Sequence, residues 1–227
     1  MSMGMAGSRP TARVYIDGFN LYYGALRKTP HRWLDVLEWS RLLLPHHEVE
    51  AVVYCTARVT ALPHDPHAPT RQQFYLRALE SLAPRVEVLE GHFRVRDVTS
   101  ARVPNVSCTC CASRGCKCCA ATTATIKKPE EKGSDVNLAV RLVRDHFVYA
   151  HEASLVVSDD SDLQEAVRIL EGMGRRVIVA NPRKGRAPSL VARERREVRP
   201  KTLARAQFPS TVTLPDGSTT SKPGTWQ

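Results

Sequence analysis

A chain of 227 residues, 42% of them hydrophobic, can build one sizeable core with appendages, and no run in it approaches the ~18 consecutive apolar residues of a membrane span. Its net charge of +10 points to an anionic partner more than to any fold, because a basic field concentrates polyanions near the surface. The opening MSMGMAGSRP lacks the ~7 to 15 apolar residues of a signal peptide, so a cytoplasmic protein with no membrane partner is expected, whose seven cysteines are not a disulfide framework.

In chain order, residues 1–11 are small and polar and are expected to be disordered. Residues 12–17 read as a buried strand ending in Asp17, followed by helices over about 21–28 and 36–44. A valine-rich second strand is expected over 50–56. After a stretch broken by Pro63, Pro66 and Pro69, Pro69-Thr70 opens a helix with Phe74, Leu76, Ala78, Leu79 and Leu82 on its buried side. Residues 86–89 make a third strand, and from about 97 to 131 the hydrophobic periodicity gives way to a Cys-rich insert. Ser134 then suits the N-cap of a helix whose Val136, Leu138, Ala139, Val140, Leu142, Val143 and Phe147 form a broad apolar stripe. A strand over 154–158, a helix over 162–173 and a strand over 176–180 complete the alternation. Such alternation predicts an α/β fold, a parallel sheet flanked by helices on both faces. Leu214-Pro215-Asp216-Gly217 reads as a turn between two short strands.

Acidic residues recur at one kind of place in this pattern. Asp17 ends the first strand, Asp160 and Asp162 follow the fourth in VVSDDSDLQEAV, and Asp135 opens a helix. In an open α/β sheet the helices run antiparallel to the strands, so all of these positions project onto the carboxyl edge, where such folds bind ligands. Magnesium or manganese takes oxygen ligands, including one or two carboxylates, and lowers the pKa of a bound water beside a phosphodiester. Asn20, Ser158 and Ser161 are neutral groups suited to orienting those ligands. The competing reading is capping, since acids are favoured in a first helical turn and Ser161 with Gln164 fits a capping box. Asp17 resists that reading, because Asn20 is able to cap in its place. Phe19, Tyr22 and Tyr23 follow Asp17 and read first as core, with Tyr23 the one suited to face a groove.

VYIDGFNLYYG, EEKGSDVNLAVRLVRDHF and VVSDDSDLQEAVRILEGMGRRVIV together resemble the three signature segments of the NYN domain, a PIN-like nuclease family that includes LabA-like bacterial proteins. The resemblance covers about residues 12–182 and leaves 183–227 as a basic C-terminal extension. It implies a PIN-like, Rossmannoid sheet, magnesium or manganese on the acids at Asp17, Asp135, Asp160 and Asp162, and ribonuclease activity. Two positions depart from the family pattern: Asp159 stands where glycine is common, and Arg141 where some relatives carry another acid.

The insert contains Cys108-x-x-Cys111 and Cys116-x-x-Cys119, with Cys110 and Cys118 as alternatives, and four thiolates close a structural zinc site. The four-residue spacer is shorter than the ~15 to 20 of a zinc ribbon, so a reduced loop is the alternative. Cys55 reads as a buried small hydrophobe and the eight histidines as surface residues. Lys127, Lys128 and Lys132 in the insert are expected to hold nucleic acid. So are Arg193, Arg195 and Arg196, within a segment 183–205 that has nine Lys or Arg against two Glu, a net of +7. The expected function is a metal-dependent ribonuclease acting on RNA. An RNA-binding or scaffolding module with little catalysis and a DNA nuclease or phosphatase are the alternatives.

Overall fold

The computed structural model describes residues 8–61, 65–101, 123–183, 185 and 187–226. Residues 1–7 and the six insert cysteines, Cys108, Cys111, Cys116 and Cys119 among them, lie outside the described residues.

Apolar residues on both faces make β1, Thr11–Asp17, a central strand: Ala12, Val14 and Ile16 enter one core cluster and Tyr15 the other. It pairs in parallel with β2, Glu48–Ala57, on one side and with β5, Ala153–Val157, on the other. β3, Val86–Ala101, extends the sheet beyond β2, and β6, Arg176–Asn181, with β7, Glu194–Glu197, extends it beyond β5. These six strands are parallel. β4, Thr123–Lys132, lies antiparallel on the outer side of β3, giving the order β4-β3-β2-β1-β5-β6-β7. The α/β class with a parallel sheet is as the alternation implied.

The first face carries α2, Val36–Leu43, and α3, Ala68–Glu80. The second carries α4, Ser134–Val148, and α5, Gln164–Gly172. The chain leaves β1 toward β2 and returns through α4 to β5 on β1's other side, so strand order reverses at β1. The crevice at the carboxyl ends of β1 and β5 is the topological switch point of the sheet.

Several elements differ from the sequence reading. The first helix is a single turn, α1, Gly18–Leu21, continued by a π-helical turn over Tyr22–Leu26. β3 and β4 continue through both flanks of the insert as a ten-residue antiparallel ladder, because backbone pairing needs no hydrophobic periodicity. In α3 the buried side includes Tyr75, and Phe74 is exposed. Leu138 and Leu142 are buried in α4, but Val136, Val140 and Phe147 face outward, so the stripe is only half covered. Gly133, with φ of 96°, caps α4, and Ser134 is already helical. Three histidines, His47, His146 and His151, are buried.

The segment from 183 onward is not a separate appendage. β7 belongs to the main sheet, and Val198, Leu203, Ala206, Phe208, Val212 and Trp226 enter the first core cluster. α6, Pro200–Arg205, packs beside α2. The turn at 214–217 joins β8, Thr211–Thr213, to β9, Thr219–Ser221, as expected.

Candidate metal centre

Each of three acids is delivered to the switch point by a different element. Asp17 ends β1, Asp160 follows β5, and Asp135 lies in the first turn of α4, which runs antiparallel to the strands. Their carboxylate oxygens lie within 4.8 Å of one another. Three like charges so close repel by roughly 3 kcal/mol per pair at the effective dielectric near a protein surface, and a cation between them reverses the sign.

The orientation of Asp17 is fixed from two sides. Its Oδ1 accepts the Asn20 backbone N–H at 2.8 Å, and its Oδ2 accepts the Ser158 hydroxyl at 2.9 Å. Asp17 therefore does cap α1, contrary to the expectation that Asn20 would. The carboxylate that caps also belongs to the triad, because a short helix begins where the strand stops. Ser158, fully buried, also accepts the Asp160 backbone N–H at 3.0 Å and so couples the two acids. The Asn20 side-chain oxygen accepts the Asp159 backbone N–H at 3.3 Å. Two of the three neutral groups read from the sequence thus hold the acidic loop, while Ser161 lies exposed in the 3-10 turn Ser161–Leu163.

Asp162 is outside the cluster. It sits exposed in that turn, where its backbone N–H donates to Asp160 Oδ1 at 2.9 Å, so Asp160 is the N-cap. The expected box between Ser161 and Gln164 does not form, since the Gln164 side chain bonds both backbone groups of Val191. Asp159, beside the triad in sequence, is turned away and buried. Its Oδ1 accepts from Asn181 Nδ2 at 2.6 Å and from the Ser189 N–H at 2.7 Å, tying β5 to β6 and the following loop. No described non-glycine residue has positive φ, so the aspartate stands in the glycine position without backbone strain. Arg141 reaches Glu87 on β3 and Asp145 on its own helix, a structural link where an acid was the family alternative.

Cys55 lies opposite Asp17 in the β1–β2 register, and burial, with Asp17 nearby, pushes its thiol up to about 12, so it is a neutral wall of the crevice. On the other face of the same strand tips lies a cavity of about 410 Å³ lined by Phe19, Tyr22, Tyr23, Tyr54, Tyr75 and Trp226. Gly18 forms part of its wall. A Cβ there would meet Tyr54 at 2.8 Å and the Cys55 carbonyl at 2.9 Å, so the β1–α1 corner accepts only glycine. The sequence reading missed Tyr54, Tyr75 and Trp226, whose three distant segments carry no shared local signal; the pair Tyr22-Tyr23 was the available hint.

The basic residues fall on or beside the two edge strands of the sheet, β7 and β4. Arg193 and Arg195 are exposed and Arg196 is half-buried, at and within edge strand β7, three strands and about 14 Å from β1 at ordinary strand spacing. Arg195 and Arg196 belong to the strand and Arg193 immediately precedes it. Lys127, Lys128 and Lys132 lie on β4, paired with Asp97, Arg96 and His92 of β3.

No family model matches the chain. A protein of Pseudomonas putida (strain DSM 28022 / S16) named 6-hydroxy-3-succinoylpyridine 3-monooxygenase HspA is 28% identical over an alignment of 240 residues, covering 94% of this chain and 74% of that relative. A crystal structure of a protein of unknown function from Vibrio parahaemolyticus aligns with a TM-score of 0.47 and 14% identity, over 86% of this chain and 97% of the other.

Proposed function

We propose that the protein is a metal-dependent nuclease that hydrolyses RNA phosphodiester bonds. The observation that carries this reading is the convergence of Asp17, Asp135 and Asp160, from three separate elements, at the switch point of the sheet. An all-oxygen donor set of carboxylates fits magnesium or manganese. When bound, such a cation supplies the charge that polarises a phosphodiester and activates water against it. The chain's own part is positional. Asp17 is clamped by Asn20 and Ser158, Ser158 relays that order to Asp160, and the first turn of α4 presents Asp135. Asp162 belongs to this reading only as a group that holds the turn through its N–H.

The relative named as an enzyme favours catalysis over a binding-only module. The deciding experiment offers the purified protein single-stranded RNA, matched DNA and a phosphomonoester, with Mn²⁺ or with EDTA. Cleavage of RNA that EDTA abolishes is the expected result. Preference for DNA or for the monoester would move the assignment to those substrates, and binding without cleavage to a module.

A second reading has its own observation. The relative's name and the aromatic cavity beside Gly18 favour oxygenation of a small heteroaromatic acid. It predicts oxygen consumption with such an acid and a reductant, and no metal-dependent loss of RNA.

A further inference from the structure

Six aromatic rings from four segments surround the cavity at the tip of β1. Phe19 and Tyr23 lie near-parallel at 6.2 Å between centroids, Tyr22 meets Tyr23 edge-on at 5.2 Å, and Tyr75 meets Tyr54 and Trp226 at 6.1 Å. Tyr23 is 56% exposed, so a large ring stands open to solvent at the mouth. Three arginines line the same space. Arg71 is matched by Asp65 at 2.7 Å, whereas Arg32 donates to the neutral carbonyls of Thr29 and Thr225 and keeps its charge, and Arg27 lies over Tyr23 with its guanidinium carbon 5.4 Å from the ring centre. The site is therefore net positive. Trp226 lines it too, and its indole N–H, in a residue 5% exposed, has no hydrogen-bond partner among the described residues, which costs about 1 to 3 kcal/mol unless a ligand accepts it.

We infer that this cavity takes one unpaired nucleotide of the substrate strand, its base against the aromatic rings and its phosphate toward Arg27 and Arg32. The inference rests on the nuclease reading and deepens it. A flat π-face is common to every base, while ring acceptors suit the indole N–H, and a phosphate suits the two cations. Gly18 lines the cavity and Asp17 belongs to the triad, with Cα atoms about 3.8 Å apart along the chain. A nucleotide held there puts the strand across the β1 tip toward the acids on the opposite face. Base-paired RNA has no base to offer, so single strands or unpaired loops are the substrate class.

Titration of the full chain in EDTA, where no cation draws phosphate to the acids, isolates this site. The readout is tryptophan fluorescence, assigned to the cavity by its loss in Trp226→Phe. AMP is expected to bind roughly tenfold or more tighter than ribose 5-phosphate, the worth of one stacked base. Arg27→Gln should bring AMP down toward the affinity of adenosine. Thr60→Trp, a bulky replacement at an exposed lining residue, should abolish binding with an unchanged melting transition. Equal binding of AMP and ribose 5-phosphate, full AMP affinity in Thr60→Trp, or capture of nicotinate in place of AMP would overturn the proposal. AMP capture by a wild-type protein that cleaves no RNA removes the nuclease reading and leaves the pocket; RNA cleavage without AMP capture removes the pocket alone.

Discussion

The two ends of α4 hold two carboxylate clusters built on opposite electrostatic plans. At its first turn, Asp135 joins Asp17 and Asp160, gathering like charges within 4.8 Å. At its last turns, fully buried Asp145 sits among opposite charges: Arg13 at 3.4 Å, Arg141 and Arg144 at 3.7 Å, with the Tyr15 hydroxyl donating at 3.2 Å. Beside it, His146 and His151 share the buried Ser154 hydroxyl at 2.9 and 3.0 Å. The second cluster balances the Asp145 charge with arginines, although Asp145 Oδ1 has no hydrogen bond among the described residues, and ties α4 to β1 and β5. The first brings three carboxylates together at the carboxyl edge of the sheet, an oxygen donor set of the kind that a divalent cation takes. A carboxylate is thus read by the sign of its company rather than by its burial.

The sharpest way to break this contrast is to remove one acid from each end. Asp145→Ala leaves Arg13, itself buried, without its counter-charge, and is expected to cost about 3 to 5 kcal/mol of stability, measured by urea unfolding. A loss below 1 kcal/mol would mean that the lower cluster is not structural. Asp17→Asn is expected to behave oppositely. Asparagine caps as well as aspartate, so α1 survives, while RNA cleavage in Mn²⁺ falls by about 10² to 10³, the usual cost of removing one transition-state electrostatic group. Asp160→Asn should match it. Near-normal turnover in either variant would sink the metal assignment.

A smaller effect sharpens the lower cluster. Burial, with His151 and Arg175 adding to it, pulls the His146 imidazole down to about 4. The folded state holds this ring neutral while the unfolded chain protonates it near the ordinary ~6.5. Stability from this residue is therefore complete above pH ~6.5 and lost as pH falls toward 4, by on the order of 3 kcal/mol. His146→Leu should flatten that part of the stability profile, and an unchanged profile would exclude His146 as its source. The smallest effect concerns β7. Replacing Arg193, Arg195 and Arg196 with Gln should weaken RNA binding across sequences and flatten the log affinity against log salt plot by up to about two units, at ~0.7 per phosphate contact on single strands. An unchanged slope would place the anion-binding surface elsewhere.

The strand and helix order was legible because apolar periodicity is a local property. So was the convergence of Asp17, Asp135 and Asp160, since strand direction alone assigns strand ends and helix starts to one edge. Capping was less legible: Asp17, Asp160 and Gly133 took the roles assigned to Asn20, Ser161 and Ser134, because backbone dihedrals one residue apart decide a cap and composition does not. Similarly, Asp159, Asp160 and Asp162 look equivalent in the sequence. One bonds Asn181 and Ser189, one joins the triad and one is exposed, because successive residues leaving a strand point in different directions.

Only the tertiary structure placed the chain after residue 182 inside the main sheet and core, where Trp226 closes a cavity opened by Phe19 and Tyr22. Only it showed Asp145 fully buried among arginines. Each fact includes contacts more than a hundred positions apart, Trp226 with Tyr75 and Asp145 with Arg13, which no local pattern carries. The sequence by itself determined the α/β alternation and the edge on which the acids meet, because handed crossovers leave little freedom there. Which acids point inward, and what lines the opposite face, waited on packing, where side-chain direction and long-range neighbours decide.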